Sequence, residues 1–238
     1  MKRLIMVTGT ARSGAAMIGG LVHLCGARGG RIIKVVEYDG RGSFENSAIR
    51  TSLVKPFLQG IGADPKGQNP LPSIDRCMAV APLVAETWRR AVVKILDTET
   101  EPEAACCFAS SSSCLIWPIW AKAFPEAEWI IVRRYNRDIV DSCMKTTYMD
   151  AFDNPQAWMR WVQEHHKRFA EMRSRLKVVE VWPSKMLSGD LTEVRRVIEG
   201  VGLRWDQQAV ESFLAPILWQ GGVFELAGEV PDGPSNGT

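Results

Sequence analysis

Five apolar runs, most of them continuous, set the strongest constraint on this chain: Leu4–Thr8, Arg31–Val36, Ala104–Ala109, Trp129–Arg133 and Leu176–Val181. A strand with one wet face alternates apolar and polar side chains. A strand covered on both faces reads instead as a continuous apolar run, the mark of a parallel sheet. Between the runs lie segments of helical periodicity, which gives a strand–helix–strand rhythm. The expectation is a three-layer α/β fold with a mainly parallel, five-stranded sheet flanked by helices. One domain is expected over residues 1–225, because no internal repeat or linker interrupts it. The ending "GEVPDGPSNGT" has turn-forming composition, so 226–238 reads as a flexible tail.

The helices are marked at their ends. The first is expected from Gly14 to Cys25, stopping at Gly26. Others are expected over Glu45–Gln59, Met78–Asp97 and Arg137–Thr147. Asn154 and Pro155 open a further helix as cap and first residue. Its Trp158, Trp161, His165 and Phe169 recur at helical spacing, which suits packing against the sheet better than an acceptor surface. His165 and His166 read as part of a helix face. Asp190 and Glu193 look like a capping box. A last helix is expected over Gln207–Leu214, with Pro216 following. "GIGADPKGQNPLP" is a loop.

Composition excludes several classes. The 29 basic and 27 acidic residues nearly cancel to +2, unlike a dedicated nucleic-acid binder. No run is long enough to span a bilayer, and Leu4–Val7 is too short for a signal peptide, so a cytoplasmic protein is expected. The six cysteines form no Cys-x-x-Cys pair and the three histidines are scattered, so no metal site is expected. Buried thiols are the expected role, with Cys106 and Cys107 pointing to opposite faces of a strand.

Two segments carry chemistry. In "VTGTARSGAAMIGG" a strand passes through a glycine-bearing turn into a helix, a P-loop-like layout without the Gly-Lys-Ser/Thr ending of nucleoside triphosphatases. Backbone N–H groups of Gly9, Thr10, Ala11, Arg12, Ser13, Gly14, Ala15 and Ala16 can surround an anion at a helix N-terminus, with Arg12 adding a full charge. A tight turn whose glycines serve only the backbone is the competing reading. In "EAEWIIVRRYNRDIVDSCMKT" a strand ends in Arg133–Arg134, and Ser142 lies eight residues after Arg134 on the next helix. An arginine and a serine so arranged can converge on one phosphate at the carboxyl edge of the sheet.

Together these segments resemble the sulfotransferases that use 3′-phosphoadenosine-5′-phosphosulfate (PAPS). Ala11-Arg12-Ser13-Gly14-Ala15-Ala16 is similar to their Pro-Lys/Arg-Ser-Gly-Thr-Thr loop, and Arg134-Tyr135-Asn136-Arg137-Asp138 with Ser142 to their 3′-phosphate segment. "GRGSFENSAI", "LIWPIWAKAFPEAEWIIVRR" and "VVEVWPSKML … VIEGVGLRWD" extend the resemblance over about residues 3–215. It implies PAPS as sulfuryl donor, the 3′,5′-bisphosphate PAP as product and no metal. The loop would hold the 5′-phosphosulfate and Arg134 with Ser142 the 3′-phosphate. The partner would be a small-molecule or glycan acceptor, with no nucleic acid. Acceptor identity and oligomeric state stay open.

The departures are specific. Ala15 and Ala16 stand where the family has two threonines, and Phe108-Ala109-Ser110 where it has a lysine- or histidine-bearing element. Arg12 is expected at the leaving oxygen. Glu45 is the first choice as catalytic base, before Asp39 and Glu37, although an acid opening a helix also serves the helix dipole. The serines of Ser110–Ser113 are expected chiefly as a capping loop, with Ser110 the exception. Two other classes compete: an ATP-dependent small-molecule kinase, and a degenerate nucleotide-binding relative without turnover.

Overall fold

The computed structural model describes residues 3–33 and 43–219. The expected tail lies outside them, as do residues 34–36 of the second expected strand, and Glu37 and Asp39. Four strands form one parallel sheet in the order β2-β1-β3-β4: β1 Leu4–Gly9, β2 Cys106–Ala109, β3 Glu128–Val132 and β4 Val178–Val181. Each coincides with an expected run. Of Arg31–Val36, the described part contributes an isolated antiparallel bridge between Ile32 and Asn46.

Helices cover both faces of the sheet, and β1 shows how one strand builds both cores. Ile5 and Val7 pack with Cys107, Ile130 and Val132 beneath α1 (Ala15–Leu24), α8 (Thr192–Gly200) and α9 (Gln207–Trp219). Leu4 and Met6 pack with Cys106, Phe108, Trp129 and Ile131 on the other face. That face is covered by α2 (Ser47–Ile49), α3 (Lys55–Gly60), α4 (Ile74–Glu99), α5 (Trp117–Ala123) and part of α7 (Pro155–Arg175). The period-two alternation of a strand thus divides the neighbouring thiols Cys106 and Cys107 between the two cores. All six cysteines are free and buried.

Trp120 anchors the second core, with ring centroids 5.3 Å from Trp88 and 5.1 Å from Phe108. Its burial is worth about 1.5–3 kcal/mol, as for other large apolar side chains. Between α6 (Asn136–Lys145) and α7 lies a smaller cluster of Ile139, Val140, Cys143, Trp158 and Trp161. The tryptophan stripe is therefore packing. Burial drives the pKa of His165 down to about 3, and its Nδ1 lies 2.9 Å from the Trp161 carbonyl. No helix among the described residues is long and apolar enough to cross a membrane.

Several helix ends differ from expectation. The segment expected as one helix from Glu45 starts after the cap Asn46, whose Oδ1 accepts from Ile49 N at 2.8 Å. It then widens into a π-helical stretch, Arg50–Val54, before α3 resumes. Glu45 accordingly precedes the helix and does not sit in its first turn. Helix α4 begins at Ile74, capped by Ser73, and continues through Pro82. The capping box at Asp190 does not form: Glu193 Oε1 accepts from Trp182 N at 3.2 Å instead, and Asp190 accepts from Thr192 N. Helix α9 runs past Leu214 and through Pro216.

Candidate functional site

The strand order fixes where a ligand fits. The chain leaves β1 toward β2 on one side and returns to β3 on the other, so the order reverses between β1 and β3. In open parallel sheets the crevice outside the carboxyl ends at such a point is the ligand site. The loop after β1 and the Arg133–Arg134 turn after β3 both open there.

The first loop is a tight cradle. Ser13 N donates to Thr10 O at 3.0 Å, and Gly14 adopts a left-handed φ of 98° as the cap of α1. No side chain caps this helix, so its first N–H groups face the crevice without a protein acceptor from the cap. A Cβ at Gly9 would collide with Ser13 Oγ and come within 2.6 Å of Val132 O, so the strand end admits only glycine. Ser13 is 2% exposed and its Oγ has no hydrogen-bond partner, which is unusual for a buried hydroxyl. Arg12 also holds a left-handed φ, 70°, a conformation that costs a non-glycine residue about 1 kcal/mol.

Three of the expected residues meet at this loop. Arg12 Nε donates to Ser142 Oγ at 2.8 Å, and Arg134 Nη1 donates to the Arg12 carbonyl at 2.9 Å. Burial lowers the pKa of Arg134, and the Arg12 charge lowers it further, with Asp138 opposing. The Arg12 charge acts unfavourably on Arg134, and an oxyanion bound by both would relieve that repulsion.

A second group sits at the end of β2, beside β1. Ser110 N donates to Val7 O at 2.9 Å, and the Ser110 carbonyl accepts from Thr8 Oγ1 at 2.9 Å, which extends the β1–β2 pairing by one residue. Ser110 Oγ donates to Glu45 Oε1 at 2.6 Å, and Glu45 Oε2 pairs with Arg50 Nε at 3.1 Å. Burial pushes the Glu45 pKa up; Ser110, Arg50 and Lys55 pull against it without reversing the shift. A carboxylate of this kind suits proton acceptance nearer neutral pH. Ser110 also caps the 3₁₀ turn Ser111–Cys114, the structural role expected of this serine run. No cluster of metal-ligating side chains occurs among the described residues.

Sequence reasoning missed two neighbours of the loop. Tyr148, exposed at the end of the α6 segment, has its hydroxyl 3.4 Å from Arg12 Nη1. Gln68, buried in the Gly/Pro-rich loop, bonds the backbone around it. The local signal was Asp64-Pro65-Lys66-Gly67, a β-turn closed by Gly67 N to Asp64 O at 2.9 Å. Nothing in the sequence tied that turn to residues 148–151.

A cleft of about 550 Å³ opens at the opposite edge of the sheet, lined by Arg3, Glu128, Arg175 and Lys177 among others. None of the converging residues lines it. That cleft lies away from the carboxyl ends of the strands, where ligands of open parallel sheets bind.

No protein-family model and no curated protein matches this chain. The architecture itself is an α/β fold with a four-stranded, all-parallel sheet in the order 2-1-3-4.

Proposed function

We propose that this protein is a sulfotransferase that moves a sulfuryl group from PAPS to a hydroxyl or amine of a small-molecule or glycan acceptor. One observation carries the reading. Arg12, Arg134 and Ser142, the side chains that the family resemblance assigns to the two phosphate ends of PAPS, are joined by hydrogen bonds at the β1/β3 crevice.

The fit to an oxyanion rests on the orphaned Ser13 hydroxyl and on the glycine-capped N-terminus of α1, which no side chain caps. Residues Gly9–Ala16 would surround the 5′-phosphosulfate, and Arg134 with Ser142 would hold the 3′-phosphate. PAPS supplies an activated sulfuryl group. With that group bound, Arg12 would offset negative charge at the bridging oxygen, and Glu45, paired with Arg50, would accept the proton of the acceptor. Positioning and charge do most of the work in such transfers.

A nucleotide-binding protein without turnover is the second reading. It is favoured by Ser110, which stands in the family's histidine or proline position and is a poor base. Calorimetric titration with 3′,5′-adenosine bisphosphate, beside ATP with and without magnesium, tests the cofactor class. Magnesium-independent preference for the bisphosphate is expected, and preference for magnesium-ATP would move the protein to the kinases. Sulfation of an acceptor with added PAPS would then separate the enzyme from the inert relative.

A further inference from the structure

The loop has lost the two hydroxyls that threonines would provide at Ala15 and Ala16, yet a third hydroxyl reaches it from elsewhere. Tyr148 is 46% exposed, and its Oη accepts from Arg12 Nη1 at 3.4 Å. Its own O–H proton has no protein acceptor among the described residues. The phenol thus sits against a cation, with a donor left over, at the mouth of a crevice that carries Arg12 and Arg134.

The backbone behind Tyr148 is unusually well fixed for an exposed loop. Gln68 is 2% exposed, and its Nε2 donates to Tyr148 O at 2.7 Å. Its Oε1 accepts from both Asp150 N and Ala151 N, each at 3.0 Å. One carbonyl and two N–H groups as partners settle which end of the amide is which. Gln68 is itself held by Asp64, whose Oδ2 accepts from Gln68 N at 2.9 Å, and Trp161 Nε1 donates to the adjacent Gly67 carbonyl at 3.1 Å. From the other side, Thr146 Oγ1 donates to Ser142 O at 2.6 Å and Met149 N to Thr146 O at 3.0 Å. Tyr148 is therefore tied at one end to the helix bearing Ser142 and at the other to a buried amide in a separate loop.

We infer that Tyr148 is a ligand-contacting residue that donates its phenolic proton to the oxyanion held by Arg12, and that Gln68 is the positioning residue that keeps it there. In this chain a tyrosine from the loop after α6 replaces hydroxyls that the phosphate loop lacks. The inference rests on the proposed anion site and adds its specificity: a doubly contacted phosphate or sulfate oxygen between a guanidinium and a phenol.

The test is calorimetric binding of two probes, 3′,5′-adenosine bisphosphate and inorganic pyrophosphate, to the wild type, Tyr148→Phe, Gln68→Ala and the double variant. A hydrogen bond to a charged group is worth about tenfold or more in affinity, so Tyr148→Phe should weaken binding by about tenfold with an unchanged melting temperature. Gln68→Ala should weaken it similarly in the wild type and add nothing in the Tyr148→Phe background, as coupled residues do. Unchanged affinity in Tyr148→Phe, beside a wild type that binds, would overturn this inference and leave the cofactor reading standing. A Gln68→Ala loss that persists in the Tyr148→Phe background would reduce Gln68 to a structural residue. Wild-type binding of pyrophosphate but not of the bisphosphate, weakened by Tyr148→Phe, would keep Tyr148 and remove the nucleotide. Binding of neither probe removes both. Tyr148 is exposed, so its variant stays folded and decides the matter even where Gln68→Ala fails to fold.

Discussion

Arg133 and Arg134 are the same residue type, adjacent at the end of the same strand, and they do opposite things. Arg133 N donates to Val181 O at 2.9 Å, and its side chain pairs with Glu180 at 2.9 Å. Its guanidinium also lies 5.4 Å from the ring centres of both Phe169 and Trp182. Arg134 points the other way and reaches the Arg12 carbonyl across the β1/β3 crevice. Alternation at a strand end sends one charge into the fold and the next into the site. Two adjacent identical charges thus take different partners, Arg133 on Glu180 and Arg134 on the Arg12 carbonyl.

That contrast can be broken directly. Arg134→Ala should lower affinity for 3′,5′-adenosine bisphosphate by about thirtyfold or more, as loss of a charged donor to phosphate does, while the melting temperature stays put. Arg133→Ala should do the reverse. It leaves Glu180 and two rings short of a partner and costs about 2 kcal/mol of stability, less than a fully buried pair because Arg173 also meets Glu180. Titration calorimetry and denaturant melts on the two variants check both halves. If both lose binding equally, the two arginines do not divide the labour in this way.

A milder effect concerns Glu45, whose pKa is raised mainly by burial. A carboxyl shifted upward contributes stability that is fully present below its ordinary value of 4.5 and lost as pH rises through its folded value. Glu45→Gln removes that titration. Wild type should therefore lose stability relative to the variant as pH climbs from about 4.5 toward neutrality. Denaturant melts at several pH values check this, and a wild type that instead gains on the variant as pH rises would contradict the burial. If Glu45 is the base, turnover rises over the same window in the wild type and not in the variant.

The smallest effect distinguishes the two alanines. Ala15 packs in the core beneath α1, whereas Ala16 is exposed. Ala16→Thr should tighten bisphosphate binding a few-fold, about 1 kcal/mol, without a stability cost. Ala15→Thr has a hydroxyl to bury and should lower the melting temperature. Equal behaviour of the two variants in both assays would show that the loop no longer lies against a phosphate.

The sheet was legible in the sequence because β1, β2 and β3 are buried on both faces, and continuous apolar runs admit few other readings. Arg12, Arg134 and Ser142 were legible as a group through the strand–turn–helix context on either side. The breaks in the helix after Glu45 were not, because the π-helical stretch Arg50–Val54 has no counterpart in the apolar periodicity that marks a helix. The start of α4 was missed by one turn: the expected helix opens at Met78, whereas Ser73 caps it at Ile74, directly after the Gly/Pro-rich loop. Tyr148 and Gln68 escaped for a plainer reason: their neighbourhood is made by two loops 80 residues apart, joined only once the chain is folded.

The same separation governs the loop itself. Arg12 meets Ser142 across 130 positions of sequence, and Arg134 meets Arg12 across 122. Neither half of the crevice exists before β1 has found β3, so a bound bisphosphate would recognise the closed sheet and nothing less ordered. Saturation at about a hundred times the dissociation constant would then add about 2.7 kcal/mol to the stability of the whole sheet. Ligand would act as a distant clasp, and the slowest-exchanging amides of β1 and β3 would be the ones to register it.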